Sequence, residues 1–259
     1  MSALSTPKGA ENFPIKALLF DYIGTLVQPR NYSMETSKVK LFNALCEAGL
    51  DADVNEFMEA YTKTHEKYRI VRYGQLREVT NAVWVSEALC NVRCNVGLDD
   101  SRLKAGLNVF FHDFIDTLEL RPYAEKLLKK ASENFKVGLV SNFTYSPAIY
   151  ASLRKLRING YFNAVIVSED VGWRKPHRTV FTKALKMLHI KPEEAVFVGD
   201  SPKEDMEGAK NVGMRTVFVC SGFNTLKDLE KYSVEPDMVF RGLKELYNKI
   251  PNLASSISA

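Results

Sequence analysis

Apolar residues along the chain fall into two textures. Five short runs are nearly continuous in Val, Leu, Ile and Phe: Lys16 to Tyr22, Lys136 to Asn142, Phe162 to Ser168, Ala195 to Asp200 and Arg215 to Cys220. Runs without polar alternation predict parallel strands covered on both faces. Between them, "YAEKLLKKASE" (Tyr123 to Glu133) and "TVFTKALKML" (Thr179 to Leu188) repeat apolar positions at the helical three-to-four spacing. Strand and helix in alternation predict an α/β fold, a doubly wound open parallel sheet.

From about Arg30 to Leu120 the first texture disappears. The pattern predicts helices over Met34–Ala48, Val54–Val71, Leu76–Val92 and Ser101–Leu118, separated by Leu50-Asp51, Gly74 and Val96-Gly97-Leu98. An all-helical block after the first strand predicts an inserted subdomain. Its aromatic positions Phe57, Tyr61, Trp84, Phe110, Phe111 and Phe114 read as its own core. The expected divisions are a flexible leader over 1–14, an α/β core from 15–28 and 119–250, the helical insert over 29–118, and a frayed tail over 251–259.

Bulk properties narrow the function classes. A formal net charge of +4 over 259 residues, without a Lys/Arg block, gives no footprint for nucleic acid. No apolar run approaches the roughly 18–20 residues of a membrane span, and Met1 to Pro14 lacks the apolar centre of a signal peptide. The expectation is a cytoplasmic protein, monomer or homodimer. Cys46, Cys90, Cys94 and Cys220 include one pair at four-residue spacing but no second pair to complete a zinc site, and read as buried free thiols.

In an open parallel sheet, ligands bind beyond the carboxyl ends of the strands. The residues found there are Asp21, Ser141-Asn142 and Asp200, with Lys175 in "GWRKP" and Asp205 close after Asp200. Asp21 and Asp200 can together hold a hard divalent cation. Lys175 and the Ser141 hydroxyl can hold an anionic oxygen, and an Asp placed against cation and lysine can act as a nucleophile. Singly, each has an ordinary reading as a cap, a turn former or a solvated lysine. Their recurrence in this chain order is what marks a site.

Four stretches carry a family resemblance: "FDYIGTL" (20–26), "LVSN" (139–142), "GWRKP" (172–176) and "VGDSPKEDMEGAKNVG" (198–213). Together they resemble the haloacid dehalogenase superfamily, over Lys16 to about Tyr247. The resemblance implies a Rossmann-like core with a C1-type helical cap, and chemistry that depends on Mg²⁺. It implies Asp21 as nucleophile and metal ligand, the backbone carbonyl of Ile23 as a second ligand, and Asp200 as a third. Thr25 orients the first turn, Ser141 and Asn142 bind the phosphoryl group, Lys175 bridges Asp21 and substrate charge, and Asp205 supports Lys175. The implied substrate is a small phosphorylated metabolite.

One position departs from that pattern. Phosphatases of the family carry a second Asp, the general acid/base, where this chain has Ile23, and losing such a group typically costs about 10²–10⁴-fold. Four readings stay open. The first is a phosphatase with atypical acid/base chemistry, which the intact "GDSPKED" favours. The second is a 2-haloacid dehalogenase, whose motif carries a Tyr where this chain has Tyr22 one position early. The third is a non-catalytic binder of a phosphorylated ligand. The last is a phosphonatase-like C–P hydrolase using one of Lys38, Lys40, Lys63 or Lys67. His177, two residues after Lys175, is a candidate side-chain substitute for the missing acid. The basic set His65, Lys67, Arg69, Arg72 and Arg77 is read as a solvated face with an anion-recognising alternative, and His112 as a partly buried helix residue.

Overall fold

The five apolar runs become five of the six strands of one sheet. The computed structural model describes residues 14–253. The core begins with β1 (Ala17–Phe20), every residue of which is buried. After the insert come α5 (Ala124–Ser132), β4 (Lys136–Ser141), α6 (Ser146–Lys155), β5 (Ala164–Val167), the single turn α7 (Ser168–Val171) and α8 (Arg178–Leu188). Then follow β6 (Ala195–Gly199), a π-type turn (Pro202–Glu207), α9 (Gly208–Lys210), β7 (Arg215–Val219), α10 (Leu226–Leu229), β8 (Met238–Phe240) and α11 (Leu243–Lys249). The sheet order is β5-β4-β1-β6-β7-β8, all parallel. Chain order reverses at β1, so the crevice at a topological switch point opens where β1 and β6 end side by side.

The insert is framed by an antiparallel ribbon of β2 (Val27–Pro29) and β3 (Leu118–Leu120). Between them lie α1 (Met34–Glu47), α2 (Val54–Gln75), α3 (Asn81–Asn91) and α4 (Ser101–Thr117). Side-chain caps set three of the helix starts: Ser33 accepts from Thr36 N at 3.2 Å, Asp53 from Asn55 N at 2.8 Å, and Asp100 from Arg102 N at 2.8 Å. The aromatic set read as the insert's core is buried as expected.

Several expectations need correction. α2 runs on to Gln75 and α3 begins only at Asn81. Leu76 takes a left-handed conformation (φ 56°) that ends α2, and the following residues pair with the core instead of continuing a helix. Arg77 and Trp173 form an antiparallel bridge, Arg174 N–H donates to Leu76 O at 3.0 Å, and Glu78 N–H donates to Gly172 O at 3.0 Å. The thiols are free but not buried: Cys90 is exposed and the other three half-buried. Leu253 is fully buried, so the core extends past 250 into the expected tail. Of the leader, residues 1–13 lie outside the described residues, as do 254–259 of the tail.

Candidate active site

The first turn after β1 is built for proximity. Asp21 N–H donates to Val198 O at 2.9 Å, which extends the β1–β6 pairing by one residue, and Gly24 N–H donates to Val27 O at 2.8 Å to close the turn. Gly24 has φ +101°, a conformation suited to glycine, and a Cβ there would stand 2.5 Å from Asp200 Oδ2. Arg121, just past β3, clamps the turn from the far side. Its guanidinium donates to Gly24 O at 2.5 Å, Thr25 O at 3.1 Å and Cys220 O at 2.6 Å.

Lys175 is the hub. It is 1% exposed, and its ammonium donates to Asp21 Oδ1 at 2.7 Å, Asp205 Oδ1 at 2.7 Å and Val140 O at 2.9 Å. Its own backbone is fixed by Asn142, whose Oδ1 accepts from Lys175 N at 2.7 Å and whose Nδ2 donates to Lys175 O at 3.0 Å. The other oxygen of Asp205 accepts from Asp200 N at 3.1 Å and Ser201 N at 2.9 Å. A Cβ on Gly199 would collide with that carboxylate, so the end of β6 must be glycine. Burial alone would lower the Lys175 pKa, but the Asp205 and Asp21 carboxylates more than offset it and raise it above the ordinary lysine value.

Asp21, Asp200 and Asp205 offer oxygens that all lie within 4.8 Å of one another. Asp200 accepts from Ser221 Oγ at 2.5 Å, Asn224 Nδ2 at 3.3 Å and Thr25 Oγ1 at 3.5 Å. Burial, with the charge on Asp21, pushes Asp200 up to about 6 against those bonds. Burial also pushes Asp205 well above the carboxylate range, opposed by Lys175 and reinforced by Asp21 and Asp200. Three carboxylates thus share one ammonium, and the buried Asp21 Oδ2 has no hydrogen-bond partner. An oxygen-only donor set with excess negative charge and an unsatisfied carboxylate oxygen fits a hard divalent cation.

The other expected residues divide. Thr25 is fully buried and reaches Asp200, and Ser141 is buried at the end of β4, next to Val140 whose carbonyl accepts from Lys175. Ile23 is half-buried, and its side chain packs against the apolar core. Tyr22 turns away into the core, where its hydroxyl bonds Ser152 Oγ at 2.8 Å. His177 is a helix cap: Nδ1 accepts from Thr179 N at 3.3 Å, and the ring stacks on Trp173 at 3.8 Å. It makes none of the hydrogen bonds of the carboxylate cluster described above. His112 is largely exposed beside Asp116, not partly buried. Arg121, Ser221 and Asn224 were not anticipated.

The basic set of the insert also splits. Lys67 pairs with Glu87 and Arg69 with Glu66 on the outer face, and Arg77 lies over Trp173. His65 and Arg72 instead line a chamber of about 200 Å³ between insert and core. Its walls are mainly aromatic, with Tyr61, Trp84, Phe110, Phe111 and Phe114 from the insert and Phe143 from the core. Asn142 belongs both to this lining and to the Lys175 loop. The Glu78 side chain is fully buried beside Arg72, one of the chamber's lining residues. It accepts from Arg72 Nε at 2.8 Å and from the Ser168 hydroxyl, with Arg174 at 3.6 Å. Burial and then Arg72 hold the His65 pKa below its usual value.

Comparison with known proteins agrees with this geometry. A family model described as a haloacid dehalogenase-like hydrolase matches residues 15–213. The glyceraldehyde 3-phosphate phosphatase of Methanopyrus kandleri is 31% identical over 93% of this chain and 99% of its own length. Human haloacid dehalogenase-like hydrolase domain-containing protein 3 is 25% identical over 95% of this chain and 98% of its own. Among solved structures, a 2-haloacid dehalogenase from Pseudomonas syringae superposes with TM-score 0.67 at 20% identity, covering 92% of this chain and 99% of that one.

Proposed function

The chain belongs to the haloacid dehalogenase-like hydrolases, and from that membership we propose that it is a Mg²⁺-dependent phosphatase of a small phosphorylated metabolite, with Asp21 as nucleophile. The observation that carries this reading is the state of the Asp21 carboxylate. One oxygen is held by Lys175 and the other is buried without a partner beside Asp200. Relatives named as phosphatases over nearly the whole chain support it.

Asp21, the Ile23 carbonyl and Asp200 would hold the Mg²⁺ ion, which when bound supplies charge neutralisation for the phosphoryl oxygens. The chain's own groups do the rest. Lys175 fixes the Asp21 carboxylate and supplies the fixed positive charge that draws a phosphoryl group onto it. Ser141 at the end of β4 donates to a phosphoryl oxygen. Attack by Asp21 forms an aspartyl phosphate as the bond to the leaving oxygen breaks, and water then releases inorganic phosphate. Ile23 neither protonates the leaving oxygen nor deprotonates that water.

The tyrosine that invited a dehalogenase reading is spent on a core hydrogen bond to Ser152, which counts against that alternative. The test is a panel of phosphoesters and acyl phosphates assayed with Mg²⁺ and with chelator. Turnover that needs the metal and vanishes in Asp21→Asn is expected. Metal-independent halide release from 2-haloacids would replace this reading by dehalogenation. Tight binding of a phosphate-mimicking metal fluoride without turnover on either panel would replace it by the binding-protein reading.

A further inference from the structure

The chamber that shares Asn142 with the lysine loop is walled mainly by aromatic rings. Its rings touch in sequence: Phe114 stacks on Phe143 at 5.3 Å, Phe143 meets Phe111 at 5.4 Å, and His65 meets Trp84 at 5.4 Å. Such walls favour a flat partner through stacked and edge-on contacts. Among the polar groups of the lining, the Asn142 amide is bonded to the Lys175 backbone, Asn81 Oδ1 to Thr144 and Arg72 Nε to Glu78, while the Trp84 indole nitrogen is buried without a partner. Size points the same way: a cavity of roughly 150 Å³ holds benzene, so a chamber of about 200 Å³ takes one substituted ring.

The chemistry of departure agrees. No proton donor stands at the Ile23 position, and the pKa of His65, the one imidazole in the lining, is held below its usual value by burial and Arg72. An alkyl alcohol leaves as an alkoxide whose basicity is close to hydroxide, with a conjugate acid pKa of about 16. A phenol, like the tyrosine side chain, has a pKa of about 10 and departs as phenolate unaided.

We propose that this chamber holds the leaving group, and that the substrate is the phosphate monoester of a single-ring phenol. This rests on the reading of Asp21 as a phosphoryl-accepting nucleophile. Asp21 forms the new bond to phosphorus. The phosphorus–aryl oxygen bond breaks with its electron pair on the phenolate, which takes a proton from solvent after release. Water then adds to phosphorus, the bond to Asp21 breaks, and inorganic phosphate leaves with the water's protons.

The experiment compares kcat/KM for substituted phenyl phosphates, glyceraldehyde 3-phosphate and acetyl phosphate, all with Mg²⁺. Acetyl phosphate has a good leaving group and no ring, so it reports on Asp21 alone. Phenyl phosphates are expected to exceed the triose phosphate by about 10²-fold or more, the scale of the missing acid, with rates falling steeply as the phenol pKa rises. Phe111→Leu and Trp84→Ala should each lower kcat/KM for phenyl phosphate by about tenfold while leaving acetyl phosphate within about twofold. In the wild-type protein, phenol should inhibit acetyl phosphate hydrolysis competitively, which tests the chamber without any variant. A triose phosphate preference, or no competition by phenol, overturns this inference and leaves the phosphatase reading standing. Loss of turnover on all three classes, acetyl phosphate included, overturns both.

Discussion

Replacing Lys175 by methionine separates the electrostatics of the site from its packing. Methionine keeps the length and apolar stem of the side chain and removes only the ammonium. Asp21, Asp205 and the Val140 carbonyl each then lose a donor at 2.7–2.9 Å, and three carboxylates within 4.8 Å are left without their cation. Breaking a buried ion pair from one side costs about 3–5 kcal/mol. At about 2–4 °C per kcal/mol for a chain of this size, the melting temperature in chelator should fall by roughly 6–20 °C. Two further measurements test the cause. Asp200 and Asp205 already hold their protons more tightly than free carboxylates, so at these two sites the fold binds more protons than the unfolded chain. Lowering the pH from 7 toward 5 should therefore narrow the gap between variant and wild type. Millimolar Mg²⁺ should stabilise each protein, by about 2.7 kcal/mol where the ion stands at a hundred times that protein's Kd, and should narrow the gap to the extent that the variant, with its uncompensated carboxylates, binds the ion more tightly. Thermal unfolding followed by circular dichroism, in chelator and in Mg²⁺ at both pH values, reads all of this. A variant that melts within about 2 °C of wild type in chelator at pH 7 refutes the idea that unbalanced charge governs the cluster.

Ile23→Asp should raise turnover of alkyl phosphates by about 10²-fold or more and leave acetyl phosphate nearly unchanged; equal effects on both in steady-state assays would show that leaving-group protonation is not what the wild type lacks. Tyr22, whose hydroxyl burial pushes up to about 12, gives a pH signature. Its contribution is fully present below the unfolded pKa near 10 and is lost as pH rises through about 12, amounting to roughly 3 kcal/mol. Tyr22→Phe should flatten that alkaline decline in urea titrations, and an identical decline in both proteins would contradict it. Gly199→Ala places a methyl group against the Asp205 carboxylate and should cost about 1–3 kcal/mol together with Mg²⁺-dependent turnover. Retained activity would show that Asp205 moves freely.

The strand ends were readable because an apolar run stops where the sheet meets solvent, and polar residues at that stop have few structural reasons to recur. Asp21, Ser141 and Asp200 were found in this way. The same rule applied to the run ending at Cys220 would have flagged Ser221, which bonds Asp200. Arg121 and Asn224 left no such signal, because both reach the site through contacts between distant segments. β2, β3 and β8 are each three residues long, too short for a periodic pattern. His177 and Tyr22 were adjacent to the chemistry in sequence but turned from it, His177 by capping a helix and Tyr22 by the alternation of side chains along an extended chain. The end of α2 was misread because pairing with Gly172 to Arg174 competes with helix continuation there, and only the folded chain shows that competition.

The short pairing of residues 76–78 with residues 172–174 also bears on how such proteins can be recombined. The loop that ends in Lys175 takes part of its backbone support from the insert, through the Arg174–Leu76 and Glu78–Gly172 hydrogen bonds. The Glu78 carboxylate adds Arg174 and Ser168 to the same seam. The helical block is consequently not a detachable module. A chimera that grafts a foreign insert between β2 and β3 keeps Asp21, Lys175, Asp200 and Asp205 in the sequence, yet removes the strand partner of the lysine loop. Such grafts should recover function only when the donor block brings its own equivalent of residues 76–78, which makes that tripeptide the unit of inheritance to track when inserts are exchanged.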